Sequence, residues 1–320
     1  MSHFDVFNGD ADGLCALHQL RLVRPREAQL VTGVKRDNAL LARVPARGGD
    51  SVTVLDIALA GNRAALVALL DQGVTVEYFD HHHAGDIPVH ARLKALIDTS
   101  PDVCTSVLVD AHLAGAHTPW AIVGAYGDNL LQTAGRLADR LGLDHDRRET
   151  LRRLGECLNY NSYGDGRDDL MYWPAELYRL LHAYADPFAF VRTEEAFARL
   201  ERQRGEDMDK ALGTSAARKT DRAAVYLLPD AAWARRAVGS FANHLARTDA
   251  AKAYAILVPN ARGYLTASLR VPAGFPDGAD AFARRFGGNG RRSAAGINDL
   301  PRDAQAAFQA AFMDCFSRAV

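Results

Sequence analysis

The stretch Val76-Glu77-Tyr78-Phe79-Asp80-His81-His82-His83 places an aspartate and three histidines at the end of an alternating apolar run, Val74, Val76 and Tyr78, that reads as a buried strand. Two upstream strands also run into acids. His3-Phe4-Asp5-Val6-Phe7 leads into Asn8-Gly9-Asp10-Ala11-Asp12-Gly13, and Ser51-Val52-Thr53-Val54-Leu55 stops at Asp56. In open α/β sheets ligands bind outside the carboxyl ends of the strands, where such side chains meet. Carboxylates gathered there repel one another unless cations neutralise them or some take up protons. Aspartate with imidazole suits a hard to borderline divalent ion, Mn or Mg before Zn, because no thiolate is placed to help.

If Asp10, Asp12, Asp56, His81 and Asp128 converge, they can hold two divalent ions about 4 Å apart, the spacing of a two-metal hydrolase. Asp56, central among the strands, is the natural bridge. Water held by two such cations is acidic enough to attack a phosphoester near neutral pH without a protein nucleophile. His82 is placed to donate to the phosphate, and Asp80 to orient an imidazole. Far downstream, the segment from Gly287 to Gly296 offers an anion its backbone at Gly288, Asn289 and Gly290 and the guanidinium groups of Arg291 and Arg292. Ser268 and Arg270, two apart on one strand, share a face and can line the same pocket.

Strand and helix patterns alternate up to about Gly142, which implies a parallel sheet wrapped by helices. Strands are expected over 28–34, 51–55 and 74–80, with a further one near 95–98, and helices over 37–44, 63–70, 105–114 and 120–126. The helix at Trp120 to Tyr126 delivers Gly127-Asp128-Asn129. Residues 144–220 read as helical, with 190–212 as one long connecting helix. The segment Asn159-Tyr160-Asn161-Ser162-Tyr163 reads as core plus loop, and His18, His112 and His244 as surface or satisfied core groups. From Ala223 strand patterns return at 224–228, 254–258 and 264–271, flanked by helices at 232–245 and 302–316. The fold class is therefore α/β: a metal-binding domain over 1–187, a helical linker over 188–221 and a smaller α/β domain over 222–320.

The 320-residue chain is long enough for two cores, and its net charge of −1 lacks the basic surplus of a typical duplex-DNA binder. Cys15, Cys104, Cys157 and Cys315 are scattered, with no C-x-x-C pair, so a reducing, cytoplasmic setting is expected rather than a disulfide framework. Neither a signal pattern nor an apolar run of spanning length appears, so no membrane partner is expected.

Taken in order, Asn8-Gly9-Asp10-Ala11-Asp12-Gly13, Leu55-Asp56, Asp80-His81-His82 and Gly127-Asp128 resemble the four successive motifs of the DHH phosphoesterases. Ser268-Leu269-Arg270 and the Gly287 to Gly296 segment resemble the DHHA1 substrate domain. The resemblance covers nearly the whole chain. It implies that Asp10, Asp12, Asp56, His81 and Asp128 bind manganese or a similar ion, with His82 near the scissile phosphate. Two departures stand out. Relatives usually carry a ligand histidine where Val6 stands, which leaves the Asn8 carbonyl to help, and a histidine where Arg291 stands.

The expected activity is hydrolysis of small nucleotidic phosphodiesters, short oligonucleotides or cyclic dinucleotides, by water activated between two divalent ions, Mn ahead of Mg. The alternatives are a nucleotide phosphomonoesterase of the phosphoadenosine phosphate type and a catalytically weakened nucleotide sensor. The expected partner is a nucleotide or a short single-stranded oligonucleotide, and the chain is compatible with a homodimer.

Overall fold

The computed structural model describes residues 1–317. The chain divides into two compact units. One comprises Met1–Ser162 with Met171–Glu201; the other comprises Tyr163–Leu170 with the chain from Arg202 onward.

In the first unit, β1 (His3–Asn8), β2 (Gln29–Gly33), β3 (Ser51–Leu55), β4 (Thr75–Asp80) and β5 (Leu93–Ile97) form a wholly parallel sheet in the order β2-β1-β3-β4-β5. Side-chain alternation sorts the strands onto two buried faces. Phe4, Val6, Val52, Val54, Val76 and Tyr78 pack with Leu59, Leu66 and Leu70 of α2 (Leu59–Asp71). Phe7, Leu55 and Phe79 pack with α1 (Ala11–Val23), α4 (Thr118–Gly127) and α6 (His145–Ser162). The helices α3 (Thr105–His112), α5 (Leu131–Arg140), α7 (Pro174–His182) and α8 (Pro187–Thr193) complete this unit. One buried ion pair braces the sheet against α1: Arg21 bonds Asp5 through both Nε and Nη2 and reaches Thr53 at 3.1 Å.

Two expected helices take other forms. Over 37–44 only a 3-10 turn, Leu40–Arg43, forms. Asn62 of α2 serves the backbone there instead, accepting from the Leu41 amide at 3.3 Å and donating to the Asn38 carbonyl at 2.6 Å. The long helix expected over 190–212 breaks at Glu194, whose backbone is extended, so that α8 ends at Thr193 and α9 (Glu195–Leu212) begins anew. The unit boundaries also fall elsewhere than at 187 and 222, because α9 starts in the first unit and ends in the second.

The second unit holds a mixed sheet, β10-β11-β9-β8-β7-β6, built from β6 (Arg218–Lys219), β7 (Ala223–Leu227), β8 (Ala253–Pro259), β9 (Leu265–Arg270), β10 (Asn289–Arg291) and β11 (Ala294–Leu300). One face packs on α11 (Ala279–Arg284) and α12 (Gln305–Ser317) through Phe282, Phe308, Phe312 and Phe316. The other packs on α10 (Ala232–Thr248) through Ala234, Val238 and Phe241, with Ala211 of α9. Asp169 anchors the inserted segment 163–170 within this unit by a two-pronged pair to Arg235, 2.8 Å on each arm.

Candidate metal centre

Because β1, β3 and β4 are adjacent and parallel, their carboxyl ends meet on one rim, and each carries its acid there. Asp10 caps α1, its Oδ1 accepting from the amides of Asp12 and Gly13 at 3.1 Å each. Asp12, one turn on, accepts from the Thr105 and Ser106 amides at the start of α3, at 2.7 Å each. Asp56 follows β3 with φ 60°, a left-handed backbone that aspartate tolerates better than most residues. Its amide still bonds the Phe79 carbonyl at 3.0 Å, and its Oδ1 accepts from Thr105 Oγ1 at 3.2 Å. Asp128 comes from the end of α4. That helix approaches closely because glycine lines it: a Cβ at Gly124 would lie 2.2 Å from Ser106 Oγ and 3.3 Å from Asp12 Oδ1, and one at Gly127 2.3 Å from the Ala11 Cβ.

His81 is the hub. Its Nδ1 donates to the Val103 carbonyl at 3.1 Å, which directs Nε2 into the cluster. Nε2 lies 3.4 Å from Asp56, 3.7 Å from Asp128 and 3.9 Å from Asp12. The ligand atoms of Asp12, His81 and Asp128, and those of Asp56, His81 and His82, each lie within 4.8 Å of one another. His82 bonds Asp80 through Nδ1 at 2.7 Å and stands 3.8 Å from Asp56, with 42% of its side chain exposed.

The electrostatics follow from this crowding. Burial pushes the Asp56 carboxyl well above the usual carboxylate range, and the charges of Asp10 and Asp12 push the same way. Burial also raises Asp12, with Asp128 adding to it. For His82, burial favours the neutral ring, but the bond to Asp80 and the charge of Asp56 outweigh it and lift its pKa above the usual value.

The donor set fits a divalent cation. Hard carboxylates and one imidazole nitrogen converge, and the buried Asn8 Oδ1 has no hydrogen-bond partner. Val6 offers nothing there; its side chain belongs to the apolar cluster on the opposite face of β1 from Phe7. Three groups were not anticipated in this role. Lys35, two residues past β2, bonds Asp10 and approaches Asp128 at 3.6 Å, Asn159 accepts from Lys35 at 3.2 Å, and the start of α3 holds Asp12. The signal for Lys35 is available in the chain as a cation at a fourth strand end.

In the second unit the glycine segment is no open loop. Residues 289–291 and 294–300 pair as an antiparallel hairpin, and β11 pairs with β9. The Gly288 amide donates to the Ala283 carbonyl at 2.9 Å and the Gly290 amide to Asn289 Oδ1 at 2.8 Å, so these amides form no anion cradle. Arg292 is turned onto the carbonyls of Phe275 and Pro276, at 2.8 and 3.1 Å, which makes it a brace of that turn. Cross-strand register aligns Asn289, Gly296 and Ser268 in one row and Arg291, Ala294 and Arg270 in the next. Arg270 bonds Ser268 Oγ at 3.3 Å and Asn243 of α10 at 2.8 Å. Ala294 and Gly296 are small, leaving the polar side chains of both rows on one face.

No family model and no curated protein matches the sequence. Solved structures do. An exonuclease RecJ bound to manganese is similar with a TM-score of 0.62 at 18% identity, over 100% of this chain and 91% of that one. RecJ from Thermus thermophilus in complex with Mn2+ gives 0.57 at 17% identity, over 97% of this chain and 51% of that one. A pGpG-specific phosphodiesterase, PggH from Vibrio cholerae, gives 0.55 at 13% identity, over 98% and 99%. Likeness of this extent at such low identity concerns architecture, and it establishes that this chain has the fold of the DHH phosphoesterases.

Proposed function

We propose that this chain is a divalent-metal-dependent phosphodiesterase that hydrolyses small nucleotidic phosphodiesters, with Mn preferred to Mg. The observation that carries the reading is the convergence of Asp12, Asp56 and Asp128 on His81 Nε2 at 3.4 to 3.9 Å. Asn8 supplies a further oxygen at the same rim, beside Asp10, the cap of α1. Two ions is the count the motif resemblance implies. Bound cations would lower the pKa of water and draw charge from a phosphoryl oxygen. The remaining tasks belong to side chains. Asp80 holds His82 by Nδ1, which leaves Nε2 to meet a phosphate or leaving-group oxygen. Asp12 is held by two amides and Asp56 by a hydroxyl, so neither needs to reorganise when charge develops.

In the second unit, Ser268, Arg270, Asn289 and Arg291 form the proposed phosphate- and nucleotide-facing row; the register that sets them on one face supports this. The identity of the neighbours, a RecJ exonuclease and a pGpG-specific phosphodiesterase, supports nucleotidic substrates.

The test is turnover by metal-stripped protein with Mn or Mg restored, against linear dinucleotides, cyclic dinucleotides, short oligonucleotides, phosphoadenosine phosphate and pyrophosphate. Mononucleotides released only with metal are expected. Phosphate released from phosphoadenosine phosphate alone would replace the reading with a phosphomonoesterase. Tight binding without turnover of any member would replace it with a nucleotide sensor.

A further inference from the structure

An ammonium ion already stands in the acidic cluster. Lys35 Nζ donates to Asp10 Oδ2, lies 3.2 Å from Asn159 Oδ1 and 3.6 Å from Asp128 Oδ1. The ammonium bonds Asp10 and Asn159 and lies within ion-pair distance of Asp128, groups from three different elements: the cap of α1, the last turn of α6 and the end of α4. The backbone fixes this approach. The Lys35 amide donates to the Ser162 carbonyl at 3.0 Å, and the preceding Val34 is buried, its carbonyl accepting from the Asp37 amide at 2.9 Å.

The rest of the cluster accommodates one cation. Asp10 belongs to neither group of converging ligands, since its Oδ1 takes two amides and its Oδ2 takes Lys35. Both groups, Asp12 with His81 and Asp128, and Asp56 with His81 and His82, depend on His81. That ring has a single nitrogen to give, because Nδ1 is committed to the Val103 carbonyl. The two groups therefore describe one ion position. Val6, in the apolar cluster, brings no imidazole to a second. A further dication at Asp10 would sit against the positive charge of Lys35 in a partly buried setting, where like charges repel.

We propose that the Lys35 ammonium takes the place of a second divalent ion at Asp10, so that the centre binds one metal ion and carries its other positive charge in the chain itself. This rests on the metal-dependent reading above. The position of Lys35 then makes it a positioning residue for Asp10 and Asp128, with half the charge of the ion it replaces and no dependence on metal supply.

The test is manganese stoichiometry on the metal-stripped full chain, by titration calorimetry and by electron paramagnetic resonance. The wild type should bind one Mn ion with an uncoupled six-line spectrum. Lys35→Met, which keeps the apolar stem and removes the charge, should bind two ions with an exchange-coupled spectrum, while Lys35→Arg should stay at one. Two ions in the wild type would overturn the proposal, whether or not Lys35→Met folds. One ion in both the wild type and a folded Lys35→Met would also overturn it, because the ammonium would then not be what excludes the second. Binding of no ion by the wild type is a different result, and it would remove the metal reading on which the proposal stands.

Discussion

Asp56 combines three roles in one side chain: it ends β3, it adopts a left-handed backbone, and it lies nearest to His81 Nε2 among the acids of the cluster. Replacing it by asparagine keeps that backbone within reach of an L-residue and removes only the charge. Asp56→Asn should weaken Mn binding by more than the roughly 10- to 100-fold that loss of an outer partner costs, and should abolish turnover. Calorimetry on a protein with unchanged circular dichroism checks it, and near-normal activity would sink the metal assignment. His18 gives a separate residue-scale expectation far from the acids. It is buried, its Nε2 donates to the Tyr184 carbonyl at 2.9 Å, and its ring meets Trp120 edge-on. Burial holds its pKa down at about 3, against an ordinary value near 6.5. The folded state therefore binds fewer protons than the unfolded chain between those values. Its contribution is whole above about pH 6.5 and is lost as pH falls toward 3, at up to about 1.4 kcal/mol per pH unit. Urea midpoints of the wild type and His18→Gln should converge as pH drops through that window; parallel profiles would refute it.

At the scale of elements, the centre depends on how closely α4 lies on α1 and α3. Gly124 permits it, and a methyl there would meet Ser106 Oγ and crowd Asp12. Gly124→Ala should cost roughly 1–3 kcal/mol of stability and weaken metal binding together, measured by denaturant unfolding and by Mn titration. Loss of stability with unchanged Mn affinity would show that the α3 start tolerates the shift. The same packing explains what is legible in the chain. Asp10, Asp12, Asp56, Asp80 and Asp128 are readable because each follows an apolar run whose period reveals a strand or helix, and strand ends converge by a general rule. Lys35 is not, since it follows an edge strand whose pattern is half exposed and its partners lie 25, 93 and 124 residues away. Glycine suppresses the strand pattern of the 287–296 segment, although Gly290 sits tight against Ala295 across the hairpin. The helix expected at 37–44 fails for a tertiary reason, the Asn62 side chain taking up the backbone groups a helix would have used.

For the whole molecule, each unit has its own apolar core, and among the described residues no helix is long and apolar enough to cross a membrane. A fragment beginning at residue 222 would lack Asp169 and Asp207, leaving Arg235 and Arg236 without their buried carboxylates. Removing one partner of such a pair costs about 3–5 kcal/mol, so that fragment should unfold far more readily than the same region within the full chain, as scanning calorimetry would record. A 222–320 fragment as stable as the corresponding transition of the intact protein would show that segment 163–170 is dispensable. That segment has a further consequence. The polypeptide passes from one unit to the other after Ser162, returns after Leu170 and leaves again after Glu201. On the ribosome, the opening piece of the second unit emerges before the closing stretch of the first, and must wait for the remainder of its partners to be synthesised. In evolution, a crossover at any single point would sever one unit or the other.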